Sequence, residues 1–379
     1  MAKTKTFPTL LQVLPSLHSG GVERATLDMV KGIHQYHPKA GNYVASAGGV
    51  LVDEVNLYGG QHFTLPLNTK CPLTIYKNIK RLADLIKDQN IQLIHARSRA
   101  PAWSALRAAR IVNIPFITTY HGVYNSNNFL KSVYNSIMAR GDKVIAISQY
   151  VANHMYTYYP QFSSNVVVIP EGVDTDFLDP KKITDNEIKA LKQEWKVPFD
   201  SKLILLPGRL TRWKGQEIIL KALKLLDHTH LTVVLLGDDQ GRHEYRLELD
   251  NLAKGLPVKF IPSCNKMPVA YAASDIVLSC STDPEAFGRV TAEALAMERP
   301  YIGTNHGATP EMCIHGETGF LVPPGDIKAL AEMIKKVLSL SSEDKCSLGQ
   351  QAREHIVKNF SLDMMMKQTL ELYQKVFHQ

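Results

Sequence analysis

The chain has 379 residues and little cysteine, and what it has forms no pattern. Cys71, Cys264, Cys280, Cys313 and Cys346 are scattered, odd in number and never spaced as C-x-x-C. That argues against a disulfide framework or a zinc ribbon and fits a reducing compartment. None of the fourteen histidines sits in His-Glu-x-x-His, the usual zinc-hydrolase signature. The G-x-G-x-x-G dinucleotide fingerprint is missing, as is the Lys-Ser/Thr that closes a P-loop. Long apolar runs are missing too. Residues 111–130 carry no charge, but Asn113, Pro115, His121, Asn125, Asn127 and Asn128 interrupt them. The stretch reads as a strand and a polar loop rather than a membrane span. Near the start, Met1-Ala-Lys-Thr-Lys is basic, yet Pro8, Gln12 and Pro15 break the apolar stretch after it. Leu10–Leu14 therefore reads as a buried first strand, not a signal peptide. No low-complexity tail and no short-period repeat is visible.

What is present is ordinary globular material, 45% hydrophobic and 21% charged, in a chain long enough for two cores. The net charge of +7 is unevenly placed. Residues 1–180 carry 17 Lys+Arg against 11 Asp+Glu, or +6, and the remainder carries 26 against 25, or +1. A basic excess confined to one half suits a solvated face, an anionic acceptor or an anionic membrane surface. Nucleic acid is not expected, because no single helix or loop concentrates the charge.

Short apolar runs alternate with helical patterns along the whole chain. Strands are expected at Leu10–Leu14, Tyr43–Ala47, Ile91–His95, Phe116–Thr119, Val144–Ile147 and Val166–Ile169. A second series runs Leu203–Leu206, Thr232–Leu236, Val258–Ile261, Ile276–Leu278 and Tyr301–Gly303. Helical patterns such as Val22–Ile33, Gln216–Leu225 and Leu362–Val376 fall between them. The alternation predicts parallel sheets covered on both faces. There are too many strands for one sheet, and the series restarts after a polar passage. The expected division is residues 1–170, a linker 171–201, a second domain 202–360, and a C-terminal helix 361–379 that could pack back on the first domain.

The most informative stretch is Asp283 to Pro300. Glu285 and Glu293 are separated by seven residues, with Phe287-Gly288 where a loop should enter a helix over Val290–Met297. A helix start offers free N–H groups and a partial positive charge, which suits an anion such as phosphate. Carboxylates on either side can accept hydrogen bonds from hydroxyls flanking that anion. Upstream, Pro207-Gly208-Arg209-Leu210 and Trp213-Lys214-Gly215 place two cations at a strand end and a helix start. Near the beginning, Ser19-Gly20-Gly21-Val22 allows close approach of backbone to a ligand. Tyr120-His121-Gly122 ends another strand, where ligands of α/β sheets bind. Asp174-Thr175-Asp176 spells D-x-D, a metal-binding pattern, but it sits in a turn-like passage and is discounted.

The Pro284-Glu285-Ala286-Phe287-Gly288 segment with its second glutamate resembles the donor-binding motif of retaining GT-B glycosyltransferases, in particular glycosyltransferase family 4. Gly208-Arg209-Leu210 and Lys214-Gly215 are similar to a second motif of that family. The run from His95 to Trp103, with Ser281-Thr282-Asp283-Pro284-Glu285, resembles the bacterial subgroup that builds lipopolysaccharide and other surface polysaccharides. The likeness implies two doubly wound Rossmann-like domains facing a central cleft. It implies a nucleotide-sugar donor, with GDP-mannose and UDP-hexoses as first candidates, and a glycan or glycolipid acceptor. No metal or other cofactor is expected, and the protein is expected in the cytoplasm, free or peripheral on the inner face of the cytoplasmic membrane.

The resemblance also distributes roles. Arg209 and Lys214 would grip the donor diphosphate, Glu285 the transferred sugar and Glu293 the ribose. Phe287, Gly288, Val290 and Thr291 would belong to the donor segment, and Gly20 and Gly21 would face the donor phosphates. His121 would lie against the transferred sugar. The catalytic set is then His121, Arg209, Lys214 and Glu285. Glu171 departs from the family, which usually has Asn before Gly172-Val173-Asp174. Two rival readings are a nucleotide-sugar epimerase of the same fold and a non-catalytic nucleotide-sugar-binding protein.

Overall fold

A computed structural model describes residues 6–18, 20–124 and 128–379. The basic start (residues 1–5), Ser19 of the glycine loop and two of the asparagines after His121, Asn125 and Asn127, lie outside the described residues. The chain divides into two compact units. One comprises Met1–Glu171 with Leu362–Gln379, and the other is Gly172–Ser361.

The first unit holds seven parallel strands: β1 (Leu10–Val13), β2 (Asn42–Ser46), β3 (Gln61–Thr64), β4 (Leu93–Ala96), β5 (Phe116–Tyr120), β6 (Lys143–Ala146) and β7 (Val166–Val168). Their order in the sheet is β3-β2-β1-β4-β5-β6-β7. Every residue of β1, β4 and β5 is buried, which is why these runs are apolar without alternation. Only Gln12, His95, Thr118 and Thr119 put polar side chains into those strands. The helix Gly21–Tyr36 covers the sheet with Met29 and Ile33. Beside it lies the C-terminal helix, Leu362–Phe377, which buries Met366, Leu370, Tyr373 and Val376 against Leu10, Leu93 and Ile117. Tyr373 is wholly buried, and its hydroxyl meets Nδ1 of His95 at 2.6 Å.

The second unit holds β8 (Lys202–Pro207), β9 (Leu231–Leu236), β10 (Val258–Ile261), β11 (Ile276–Ser279), β12 (Tyr301–Thr304) and β13 (Phe320–Val322). All are parallel, in the order β10-β9-β8-β11-β12-β13. This is the Rossmann winding, with β8 and β11 flanking the point where the order reverses. The core joins Leu206, Val233, Leu235 and Leu278 to Ile219, Leu223, Ile334 and Val337 on the helices Gln216–Leu223 and Ile327–Leu338. Residues 172–201 belong to this unit and carry the helix Asp185–Glu194, opened by a capping box between Thr184 and Glu187.

Two strands have no counterpart among the expected ones. β3 reads Gln-His-Phe-Thr and has no buried residue, and β13 has only three residues. Both are edge strands, which need no long apolar run because one side is unpaired.

Gly215 is among the glycines demanded by packing. Gly215 has φ +70°, and a Cβ there would fall 1.9 Å from the carbonyl oxygen of Cys280 at the end of β11. Gly241 has φ +82° but open space around it. Gly215→Ala is expected to cost about 2–4 kcal/mol, against about 1–2 for Gly241→Ala, which meets only the backbone penalty. Urea unfolding of both variants checks this; equal losses would contradict the close approach.

Candidate active site

The C-terminal ends of β8 and β11 bring the first group together. β8 ends at Pro207, and Gly208-Arg209-Leu210 leads into a single turn, Arg212–Lys214, ahead of the helix Gln216–Leu223. Lys214 points back under this turn. Its Nζ donates to Oε1 of Glu285 at 2.8 Å, with both side chains largely buried at 14% and 12% exposure. The indole of Trp213 lies 4.4 Å from the same ammonium. Ser281 Oγ also donates to Glu285 Oε1, at 2.5 Å, with Ser279 Oγ further off at 3.4 Å. Thus three donors converge on one oxygen of Glu285. Its Oε2 accepts no hydrogen bond among the described residues. The Glu285 backbone is held as well, since its carbonyl accepts from Ala308 N–H at 2.9 Å.

Arg209 and Arg212 separate cleanly. Arg212 makes a two-point ion pair with Glu248 at 2.6 and 2.7 Å and lies over Tyr245. Arg209 is exposed, and its guanidinium has no ion pair or hydrogen bond among the described residues. One cation is therefore spent on a surface pair and the other is available to a ligand.

The helix Arg289–Ala296 starts one residue earlier than its apolar pattern suggested. Gly288 is its N-cap at φ +90°, a conformation that favours glycine. Glu285 lies on the preceding loop and Glu293 in the second turn. Phe287 is buried and packs near Phe360, so it anchors the loop from inside. Thr291 is buried too, with Oγ1 2.7 Å from the Tyr301 hydroxyl. Its side chain is committed to the fold. Val290 lies in the first turn, where a helix has no internal carbonyl for its N–H groups. Glu293 accepts from the Tyr271 hydroxyl at 2.7 Å and from Arg289 at 3.0 Å.

The D-x-D triplet forms a turn. Asp174 Oδ1 accepts from the backbone N–H of Asp176 at 3.1 Å and of Phe177 at 2.9 Å, closing a turn. Among the described residues, no three His, Cys, Asp or Glu side chains converge as metal ligands would.

The first unit gathers a second group at the ends of β1, β4 and β5. Gly20 caps the helix Gly21–Tyr36, and a Cβ at Gly21 would meet nothing within 4 Å. His121 follows β5 and lines a cavity of about 20 Å³ with Arg97, Thr119, Glu171, Met365 and Thr369. Arg97 is buried; its Nε donates to Gln12 Oε1 at 3.0 Å. Nη2 of Arg97 and Nε2 of His121 are both buried without a hydrogen-bond partner. Burial, and then the positive charge of Arg97, push the His121 imidazole down to about 3. His95 behind it is also held well below its ordinary range, by burial first and then by Arg97 and His121. The motif reading named His121 but gave Arg97 no role. Nothing in the local pattern distinguishes Arg97 from Arg99, whose guanidinium lies over Tyr124. Glu171, the departure from the family pattern, lines the same cavity. The tyrosines of residues 150–162 divide: Tyr159 is core, while Tyr156 and Tyr158 are exposed at 39% and 54%.

Residues 19–177 match the family model described as Glycosyltransferase Family 4, and residues 187–355 match Glycosyl transferases group 1. A solved glycosyltransferase from Rickettsia africae ESF-5 is 35% identical, covering 98% of each chain at a TM-score of 0.90. The Anabaena protein HepE, solved with UDP, is 25% identical over 96% of this chain and 99% of that one, at a TM-score of 0.79. Among curated relatives, the N-acetyl-alpha-D-glucosaminyl L-malate synthase of Bacillus anthracis is 24% identical over 78% of each chain. The chain belongs to the GT-B glycosyltransferases of the family 4 type.

The neutral histidine has a measurable consequence. An unfolded histidine takes up a proton near 6.5, and folded His121 refuses it down to about 3. Stability is therefore lost as pH falls through this window, because the unfolded state binds more protons. Replacing His121 by Gln should flatten the decline between pH 6 and 4 by up to about 1.4 kcal/mol per pH unit. Urea unfolding across that range measures the slope; an unchanged slope would show that His121 titrates normally.

Proposed function

We propose that the chain transfers a hexosyl group, with retention and without a metal ion, from a nucleoside-diphosphate sugar to a hydroxyl of a surface glycan. A lipopolysaccharide-type, lipid-linked acceptor is the reading favoured by the His95–Trp103 segment. The observation that carries the proposal is the group of Arg209, Lys214 and Glu285 beside the start of the helix Arg289–Ala296. It combines a free guanidinium, an ammonium paired with a carboxylate, and a helix N-terminus. Such a group suits a diphosphate with a sugar attached. UDP-hexoses come before GDP-mannose as donors to test, since the solved HepE structures hold UDP and UDP-glucose.

In the proposed step the acceptor oxygen attacks the anomeric carbon while the bond from that carbon to the diphosphate oxygen breaks. The electron pair leaves with the diphosphate. That oxygen takes the acceptor's proton on the same face, so no enzyme nucleophile is required. Arg209 and Lys214 stabilise the charge gathering on the leaving group. Glu285, oriented through Oε1, offers Oε2 to sugar hydroxyls. His121, held neutral at the end of β5, adds a polar group without charge beside the sugar-binding edge of the first unit.

Arg209→Ala and Lys214→Ala are each expected to lower turnover by at least about 100-fold. Hydrolysis of UDP-glucose and GDP-mannose without acceptor provides the assay, and activity should persist in excess chelator. Removing Lys214 alone also strands the Glu285 carboxylate. The pair Lys214→Ala/Glu285→Gln should regain stability and stay inactive. Near-normal rates would sink the assignment, and an epimerised donor would favour the rival chemistry.

A membrane-side acceptor has its own support. The helices Pro72–Asp88 and Arg99–Val112 form a groove of about 1130 Å³ carrying Lys77, Lys80, Lys87 and Arg107 beside exposed Tyr76 and Ile111. Arg110, also there, is paired with Asp142. Cations mixed with exposed apolar side chains suit an anionic phospholipid surface, at about 1 kcal/mol for each cation engaged. Binding to vesicles containing phosphatidylglycerol should exceed binding to pure phosphatidylcholine and fade with salt. Lys77→Glu/Lys80→Glu should abolish the difference; vesicle binding unaffected by this change would exclude the groove.

A further inference from the structure

Glu293 is the one carboxylate of the helix Arg289–Ala296, and its two holders come from different places. Tyr271 lies in the last turn of a short helix, Met267–Ala272, and is wholly buried. Its hydroxyl donates to Oε2 of Glu293 at 2.7 Å. Arg289, one turn earlier on the donor helix, donates from Nη2 to Oε1 at 3.0 Å and is half exposed. A carboxylate has about four acceptor positions. Two are taken by these donors, one on each oxygen, which leaves about two on a side chain still 17% exposed. Free rotation of a glutamate side chain costs entropy when a ligand must freeze it, and a side chain already frozen avoids that cost.

We propose that Tyr271 and Arg289 clamp Glu293 so that its remaining lone pairs read the two neighbouring hydroxyls of the donor ribose. Tyr271 is then a positioning residue for ribonucleotide over deoxyribonucleotide donors. The inference rests on the donor site proposed above. A merely structural tyrosine would weaken binding of every nucleotide alike. A positioning tyrosine weakens only those that carry the hydroxyls.

The test is calorimetric binding of UDP, 2′-deoxy-UDP and 3′-deoxy-UDP, with GDP and 2′-deoxy-GDP as the alternative series, to the full chain. The wild type should favour the ribonucleotide about tenfold over a deoxy analogue, as loss of one or two hydrogen bonds to a charged group predicts. Glu293→Gln should reduce that ratio to near one. Tyr271→Phe should lower ribonucleotide affinity and bring the ratio below about three, with deoxynucleotide affinity unchanged. If Glu293→Gln keeps the wild-type ratio, the donor-site reading itself fails. If Glu293→Gln erases it and Tyr271→Phe does not, the clamp alone is overturned. Should Tyr271→Phe fail to fold, Arg289→Gln on the exposed side decides: a lowered ratio supports the clamp and an unchanged one overturns it.

Discussion

Parallel pairing is the constraint on which the rest of this molecule depends. A parallel strand must be followed by a crossover, so every strand of a sheet ends at the same edge. In each unit that edge collects loops distant in sequence. β8 delivers Arg209 and Lys214 there, β11 delivers Ser281 and Glu285, and β4 and β5 deliver Arg97 and His121. None of these groups is adjacent in the chain. Their meeting follows from strand direction, and the helices returning along both faces are what allow the strands to be apolar throughout.

Charge at such an edge has to be balanced before a ligand arrives. Lys214 and Glu285 do this for each other at low exposure, where an isolated carboxylate would be costly. Glu293 is balanced by an exposed arginine and a buried phenol. Arg97 donates to Gln12 and lies in the fields of Tyr373, Asp28 and Glu171. The glutamate that departs from the family's usual asparagine thus stands in the field of a buried guanidinium. Its presence is less anomalous than the sequence alone suggests.

Much of this was legible from sequence, for identifiable reasons. Central strands announce themselves as continuous runs of Val, Ile and Leu because both faces are buried. Each of the eleven expected runs overlaps a strand within two residues at either end. β3 and β13 escaped because an edge strand needs no such run. The motif around Glu285 was readable because Phe287 and Gly288 serve local needs, a buried wedge and a left-handed cap, at fixed spacing. The partners of the site were not readable. In the second unit Tyr271 reaches Glu293 through tertiary packing, and in the first Tyr373 reaches His95 across 278 residues. No local pattern carries that information. The resemblance singled out Arg209 over Arg212, but the pairing that occupies Arg212, with Glu248 on another helix, is a tertiary contact.

The C-terminal helix has a consequence for synthesis. The unit formed by Gly172–Ser361 is one uninterrupted stretch, whereas the other needs Leu362–Phe377 to close its core over Leu10, Leu93 and Ile117. On the ribosome the usual order, in which the leading domain matures first, is therefore inverted. The central stretch can finish while β1, β4 and β5 still wait, with an apolar face uncovered, for the helix Leu362–Phe377 to emerge. Chaperone demand should fall on that waiting half, and truncations that spare Arg209, Lys214, Glu285 and Glu293 should nonetheless leave it unfinished.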